Sequence, residues 1–205
     1  MAIVSTTRMT ARQYLTLGED PPGVRLELVN GEIAVAPSAT PEHSNSDLQF
    51  LILLKQHVDA HDLGVVLHDV DVPLDMFNVR RPDILYFSKA RVHLVTPKAL
   101  KGAPDLCVEI ISPSSSTIDR VDKFEQYKEA GVDHYWILDP AARSLEGFRL
   151  HRGEYAPSGE GRNDDEITLP PFPKLRIPLA NLWWPIEGKS NRAAGPGRRR
   201  NRSPT

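Results

Sequence analysis

The chain has 205 residues, 40% apolar and 25% charged, a balance that suits one globular domain with a sizeable core. No apolar run approaches the ~20 residues of a membrane span. The start, MAIVSTTRMTARQYL, lacks the basic segment and long apolar stretch of a signal peptide, so a cytoplasmic protein is expected. The one cysteine, Cys107, excludes an internal disulfide and reads as a small core residue. The net charge of −2 is unevenly spread. Residues 188–205 hold six basic side chains and no acid, which leaves −8 on residues 1–187. The expected organisation is a single domain over 1–187 and a disordered basic tail over 188–205, either merely solvated or contacting phosphate. The acidic body argues against DNA binding by broad surface charge.

In chain order, Thr10 to Leu17 predicts a short helix with Thr10 as N-cap. After the GEDPPG break, VRLELVNGEIAVAP predicts a hairpin around Asn30-Gly31, with Glu27 between Leu26 and Leu28. Leu48, Leu51, Ile52 and Val58 fall near helical spacing and predict a helix from Ser44 or Ser46 to His61, with His43 just before it. GVVLHDVDVPLD, RRPDILYFS and APDLCVEIIS each read as a strand. In TIDRVDKFEQYKEAG, Ile118, Val121, Phe124 and Tyr127 lie one turn apart and predict a helix stopped by Gly131. DHYWILDP is a further buried strand, SLEGFRLHRGEYAP a hairpin around Arg152-Gly153, and the rest a β-rich ending. The expected class is α/β, a central mixed sheet flanked by helices with trailing hairpins.

Three carboxylates interrupt apolar strands: Glu27, Asp83 and Glu109. Side chains alternate along a strand, so Glu109 shares a face with Cys107 and Ile111, where a lone charge is costly. Acids converging from neighbouring strands repel unless a cation or shared protons lie among them. Oxygen-only donors suit a hard ion such as Mg²⁺ or Mn²⁺, which can polarise a phosphodiester and acidify a bound water. Lys123, on the helix that follows the short SPSSST turn, is the candidate to stabilise developing negative charge.

RPDILYF and APDLCVEIISPSSSTIDRVDKFEQYKEAGVDHYWILDP, with RLELVNGEI and PSATPEHSNS upstream, resemble the Uma2 family of restriction-endonuclease-like proteins, over roughly residues 10–185. The resemblance implies the PD-(D/E)XK nuclease fold, cleavage of DNA, and a divalent cation held by Asp83, Glu109 and the carbonyl of Ile110. It implies Glu27 as an additional acid or metal-water ligand, and His43 as a phosphate or water contact. The lysine that the nuclease pattern places two residues after the second acid is Ile111 here, and Lys123 matches the position of a helix lysine that can serve instead. Cleavage of two strands by a one-site enzyme points to a homodimer.

Each residue has a plainer reading. Asp83 can be a turn residue after Pro82, and Glu109 one half of a buried salt bridge with Lys123. Lys123 can pair with Asp119 on a helix surface, Glu27 can be an exposed strand residue, and His43 a helix-entry residue. The rival functions are a nuclease-fold protein of weak or lost activity that binds nucleic acid or serves as an accessory module, and an assembly module whose acids only form salt bridges.

Overall fold

The structure, a computed structural model, describes residues 8–112 and 115–184, so the basic tail expected at 188–205 lies outside the described residues. Helix α1 (Ala11–Tyr14) starts at a capping box. The Thr10 hydroxyl accepts the Gln13 N–H, and the Gln13 side chain takes the Thr10 N–H. The helix ends three residues before Leu17, shorter than the sequence pattern suggests. Strands β1 (Leu26–Val29) and β2 (Glu32–Val35) form the expected hairpin, with Asn30 and Gly31 both at positive φ, as a tight type I′ connection requires.

Helix α2 (Pro41–Ala60) begins earlier than expected, because the Thr40 hydroxyl caps the His43 N–H at 3.1 Å and Pro41 pre-sets the first helical position. His43 therefore belongs to its first turn. The buried stripe is Ser46, Phe50, Leu54 and Val58, while Leu48 and Ile52 are exposed. The segment read as one strand after α2 is two: β3 (Gly64–His68) and β4 (Val72–Pro73), separated where Asp69 takes φ 54.

There follow β5 (Val79–Arg80), β6 (Ile84–Ser88) and β7 (Leu106–Ile110). Then come a π-helical turn (Ile118–Lys123) running into α3 (Phe124–Glu129), and strands β8 (His134–Asp139), β9 (Ser144–His151), β10 (Glu154–Arg162), β11 (Glu166–Ile167) and β12 (Ile177–Pro178). Six strands form the central sheet in the order β10-β9-β8-β7-β6-β3, with β7 and β8 parallel and the other neighbours antiparallel. The smaller sheet β2-β1-β5-β4 carries α1.

Alternation along the strands gives the central sheet two distinct faces. Leu106, Val108 and Ile110 pack with Ile84, Trp136 and Leu138 against α2 and the closing segment, Leu169 to Trp183. Cys107, Ile111, Tyr135 and Ile137 pack on the other side with Tyr127 and Phe124 of α3. Trp183 closes the first core, its indole N–H donating to the Asn163 carbonyl, while Trp184 stays exposed.

Of the apolar residues whose spacing predicts the third helix, Phe124 and Tyr127 pack inward but the first two do not. Ile118 and Val121 are exposed, whereas Asp119, Lys123 and Tyr127 turn inward. The π turn inserts extra backbone per turn and shifts the inward face, and the ion pairs described below compensate for the buried charges.

Gly64 fixes the packing of the edge strand β3. Its φ is +146, and a Cβ there would lie 2.1 Å from the Phe87 carbonyl oxygen. Gly64→Ala is expected to cost about 3 kcal/mol from backbone strain and overpacking. A shift of the urea midpoint measures it, and an unchanged midpoint would show that the strand has room.

Candidate active site

The antiparallel register between β6 and β7 pairs Ile84 with Val108 and Leu85 with Cys107. Carried one step further, it sets Asp83 opposite Glu109, on the face opposite Ile84 and Val108. Both are nearly inaccessible, at 5% and 2% exposure, and both line one cavity of about 290 Å³. Glu27, His43, Asp119 and Lys123 line the same cavity, with residues 36–39 along its side. The five residues singled out from the sequence and the backbone of Ile110 are therefore brought together.

Asp83 is tied on both oxygens. Oδ2 accepts the Ile110 N–H at 2.8 Å and lies 3.4 Å from His43 Nε2, while Oδ1 lies 3.3 Å from Arg25 Nη1. Burial works against its charge, but the hydrogen bond and charge of His43, with Lys123 and Arg25, outweigh burial and hold its pKa down at about 2. The imidazole of His43 is pushed the other way. Burial disfavours its charged form, yet Asp83 and then Asp47 raise its pKa.

Glu109 accepts from Lys123 Nζ at 2.8 Å on one oxygen and from the Tyr127 hydroxyl at 2.6 Å on the other. Desolvation pushes its carboxyl up to about 8. The Lys123 ammonium pulls it back, and the charges of Asp119 and Asp83 add to the rise. Lys123 bridges Glu109 and Asp119, at 2.8 and 2.9 Å. Burial opposes the ammonium, but Glu109 and Asp119 keep it protonated well above the ordinary lysine value. The buried salt bridge and the pairing with Asp119 are thus both present, inside the protein rather than on a helix surface.

Glu27 is buried too, not an exposed strand residue. Arg80 Nη1 donates to it at 2.8 Å and the Arg81 N–H at 3.0 Å, so both oxygens are engaged. Burial opposes its charge, while Lys123 and Arg80 lower its pKa.

Sequence reasoning missed Arg25, Arg80 and Tyr127 as site residues, and named Asp119 only as a helix-surface partner of Lys123. Two of these carry a local signal: Asp119 and Tyr127 stand four residues either side of Lys123, one helical turn away. Arg25 stands two residues before Glu27, on the same face of an extended chain. Arg80 meets Glu27 across 53 residues of chain, a separation that no local pattern encodes.

Four carboxylates, Glu27, Asp83, Glu109 and Asp119, face three permanent cations, Arg25, Arg80 and Lys123, and Arg25 is also shared with Asp69. With His43 neutral, the proton that burial favours on Glu109 balances these charges, and a divalent cation would take that proton's place. Among the described residues no group of three or more His, Cys, Asp or Glu side chains is gathered closely enough to hold a metal ion. The donor chemistry nevertheless fits a hard divalent ion: two neighbouring carboxylates and a strand backbone beside them. Such an ion competes with the Lys123, Arg25 and His43 groups now on those oxygens.

Among the described residues no helix is long and apolar enough to cross a membrane. A family model described as "Uma2: Putative restriction endonuclease" matches residues 11–180. A crystal structure described as "a putative nuclease belonging to DUF820" from Anabaena variabilis superposes with a TM-score of 0.68 at 20% identity, covering 85% of this chain and 97% of that one. At that identity the likeness establishes a shared fold, the restriction-endonuclease-like α/β architecture expected from the sequence. No curated protein matches the chain.

Proposed function

The chain belongs to the Uma2 family, and from that premise we propose that it is an endonuclease hydrolysing DNA phosphodiester bonds with a divalent cation, Mg²⁺ or Mn²⁺. The observation that carries the reading is the cross-strand pair Asp83 and Glu109, buried side by side and lining one cavity. Asp83, Glu109 and the Ile110 carbonyl would hold the cation. Bound there, it would supply Lewis-acid polarisation of the phosphate and a more acidic water.

The protein's own groups have separate parts. In hydrolysis a water oxygen bonds to phosphorus, the bond to the leaving oxygen breaks, and that oxygen takes up a proton. Lys123 offers an ammonium against the negative charge that develops on the phosphoryl oxygens. Glu27, fixed by Arg80 and the Arg81 N–H, keeps its charge and helps to hold Lys123 protonated. His43, on the first turn of α2, faces Asp83 with Nε2 and lines the cavity, where it would contact a water or phosphate oxygen. One site per chain cuts one strand, so the active form on duplex DNA is proposed to be a homodimer.

The test is nicking of supercoiled plasmid by purified protein with Mg²⁺ or Mn²⁺, before and after chelation. Cleavage should appear with metal and vanish with the chelator. The same ions should raise the melting temperature by mass action, about 2.7 kcal/mol of added stability at a hundred times Kd. Absence of cleavage with both ions would overturn the reading.

A second reading is favoured by one observation: every oxygen of Asp83 and Glu109 already has a partner. On this reading the fold has lost efficient catalysis and serves as a nucleic-acid-binding or accessory module. It predicts DNA retention without cleavage and no thermal shift with metal.

A further inference from the structure

Resting on the nuclease reading, we propose that Asp119 is a positioning residue for Lys123. The π-helical turn Ile118–Lys123, pinned by the Tyr135 hydroxyl, is the device that lets a helix-borne ammonium stand where the strand position two residues after Glu109 holds only Ile111.

Three observations carry this. Asp119 is 2% exposed, and its carboxylate lies 2.9 Å from Lys123 Nζ. Its backbone carbonyl accepts from the Tyr135 hydroxyl at 3.0 Å, so the widened turn is tied to β8 by a fully buried side chain. The Tyr135 ring in turn packs edge-on against Tyr127, 5.2 Å between centroids, and the Tyr127 hydroxyl donates to Glu109. Turn, lysine and acid are thus indexed to the same piece of the central sheet.

The need for such a device follows from the side chain. A lysine ammonium sits on a flexible four-carbon stem and has three donors. Glu109 accepts one of them, and the buried Asp119 carboxylate lies 2.9 Å from Nζ as an ion pair outside hydrogen-bond geometry, so two charges hold Nζ at the wall of the cavity. With Glu109 alone the ammonium could rotate about one contact. The role is positional, because Asp119 reaches the reacting atoms only through Lys123.

The experiment is a double-mutant cycle on DNA cleavage with Mn²⁺ by the full chain. Asp119→Asn, close in shape, should lower kcat on the order of 10²-fold with KM changed by less than about twofold, the signature of a misplaced group rather than lost binding. In a Lys123→Met background the same substitution should cause no further loss, because the residue acts through the missing lysine. Tyr135→Phe, which removes only the hydroxyl, should lower kcat in the same pattern. An unchanged kcat in Asp119→Asn, or losses that multiply in the double variant, overturns the proposal while leaving the nuclease reading intact. If the wild-type protein does not cleave DNA, that reading fails on its own, and a crystal structure of Asp119→Asn decides the positioning claim. Lys123 Nζ displaced from Glu109 supports it; Nζ still within hydrogen-bond distance of Glu109 at the cavity wall overturns it.

Discussion

Glu109→Gln should abolish DNA cleavage while leaving the protein close to wild-type stability. The two halves of that expectation have different causes. A neutral amide cannot share in holding a divalent cation as a carboxylate does. The lost Lewis-acid stabilisation, about 4 kcal/mol in the transition state, corresponds to a rate lower on the order of 10³-fold. Stability responds differently, because desolvation has already pushed the Glu109 carboxyl up to about 8, so its charge is poorly tolerated where it sits. The amide keeps an acceptor for Lys123 and removes the repulsion from Asp83 and Asp119. Asp83→Asn should lose activity to the same degree but behave unlike Glu109→Gln in stability. The folded protein holds the Asp83 charge strongly, at a pKa of about 2, through His43, Lys123 and Arg25. Neutralising it gives up charge-assisted contacts of about 1.5–3 kcal/mol. Plasmid nicking and thermal melting on the two variants, each with and without Mn²⁺, check both statements. Wild-type cleavage by either variant would move the active site elsewhere. A much larger stability loss for Glu109→Gln than for Asp83→Asn would reverse the charge reasoning.

What could be read from the residues alone follows the reach of local physics. Asp83 and Glu109 stood out because a strand has period two, and a charge inside an apolar strand is expensive enough to need a reason. The Asn30-Gly31 hairpin was legible because positive φ at both positions restricts the residue types. Lys123 was legible because a short turn folds its helix back over the strand. The start of α2 was placed too late because the apolar spacing begins after the cap, whereas Thr40 and Pro41 determine where the helix begins. The inward placement of Asp119 and Lys123 was hidden for a stronger reason. The π turn breaks the 3.6-residue period, and ion pairs with Glu109 and Asp119, not apolarity, make Lys123 a buried residue. The surrounding cations come from 58 and 53 residues away: Arg25 reaches Asp83 where the two sheets meet, and Arg80 reaches Glu27 across the paired strands β1 and β5.

The same buried charges make Lys123→Met the substitution with the largest expected cost in stability. Removing one partner from a buried charge cluster leaves Glu109 and Asp119 facing each other with nothing between them, a loss of about 3–5 kcal/mol. For a chain of this size each kcal/mol moves the melting temperature by roughly 2–4 °C, so a drop of about 10 °C is expected. The pH dependence has a definite sign. A carboxyl whose folded pKa is raised contributes stability that is fully present below its unfolded value and is lost as pH rises towards the folded one. For Glu109 that window runs from 4.5 to about 8 in the wild type, and both proteins should weaken in parallel across it. Above about 8 the wild type has released the proton and this loss ends. In the variant the ammonium that pulled the pKa down is gone, so the loss continues at about 1.4 kcal/mol per pH unit. Urea unfolding of the two proteins between pH 6 and 10 should therefore show a gap that widens on the alkaline side. The double variant Lys123→Met with Glu109→Gln should recover part of the loss and flatten the profile, because the amide has no proton to release. A gap that narrows with rising pH would mean that the lysine is held for its packing rather than its charge. It would also weaken the case that this cluster is an electrostatic device built around Glu109.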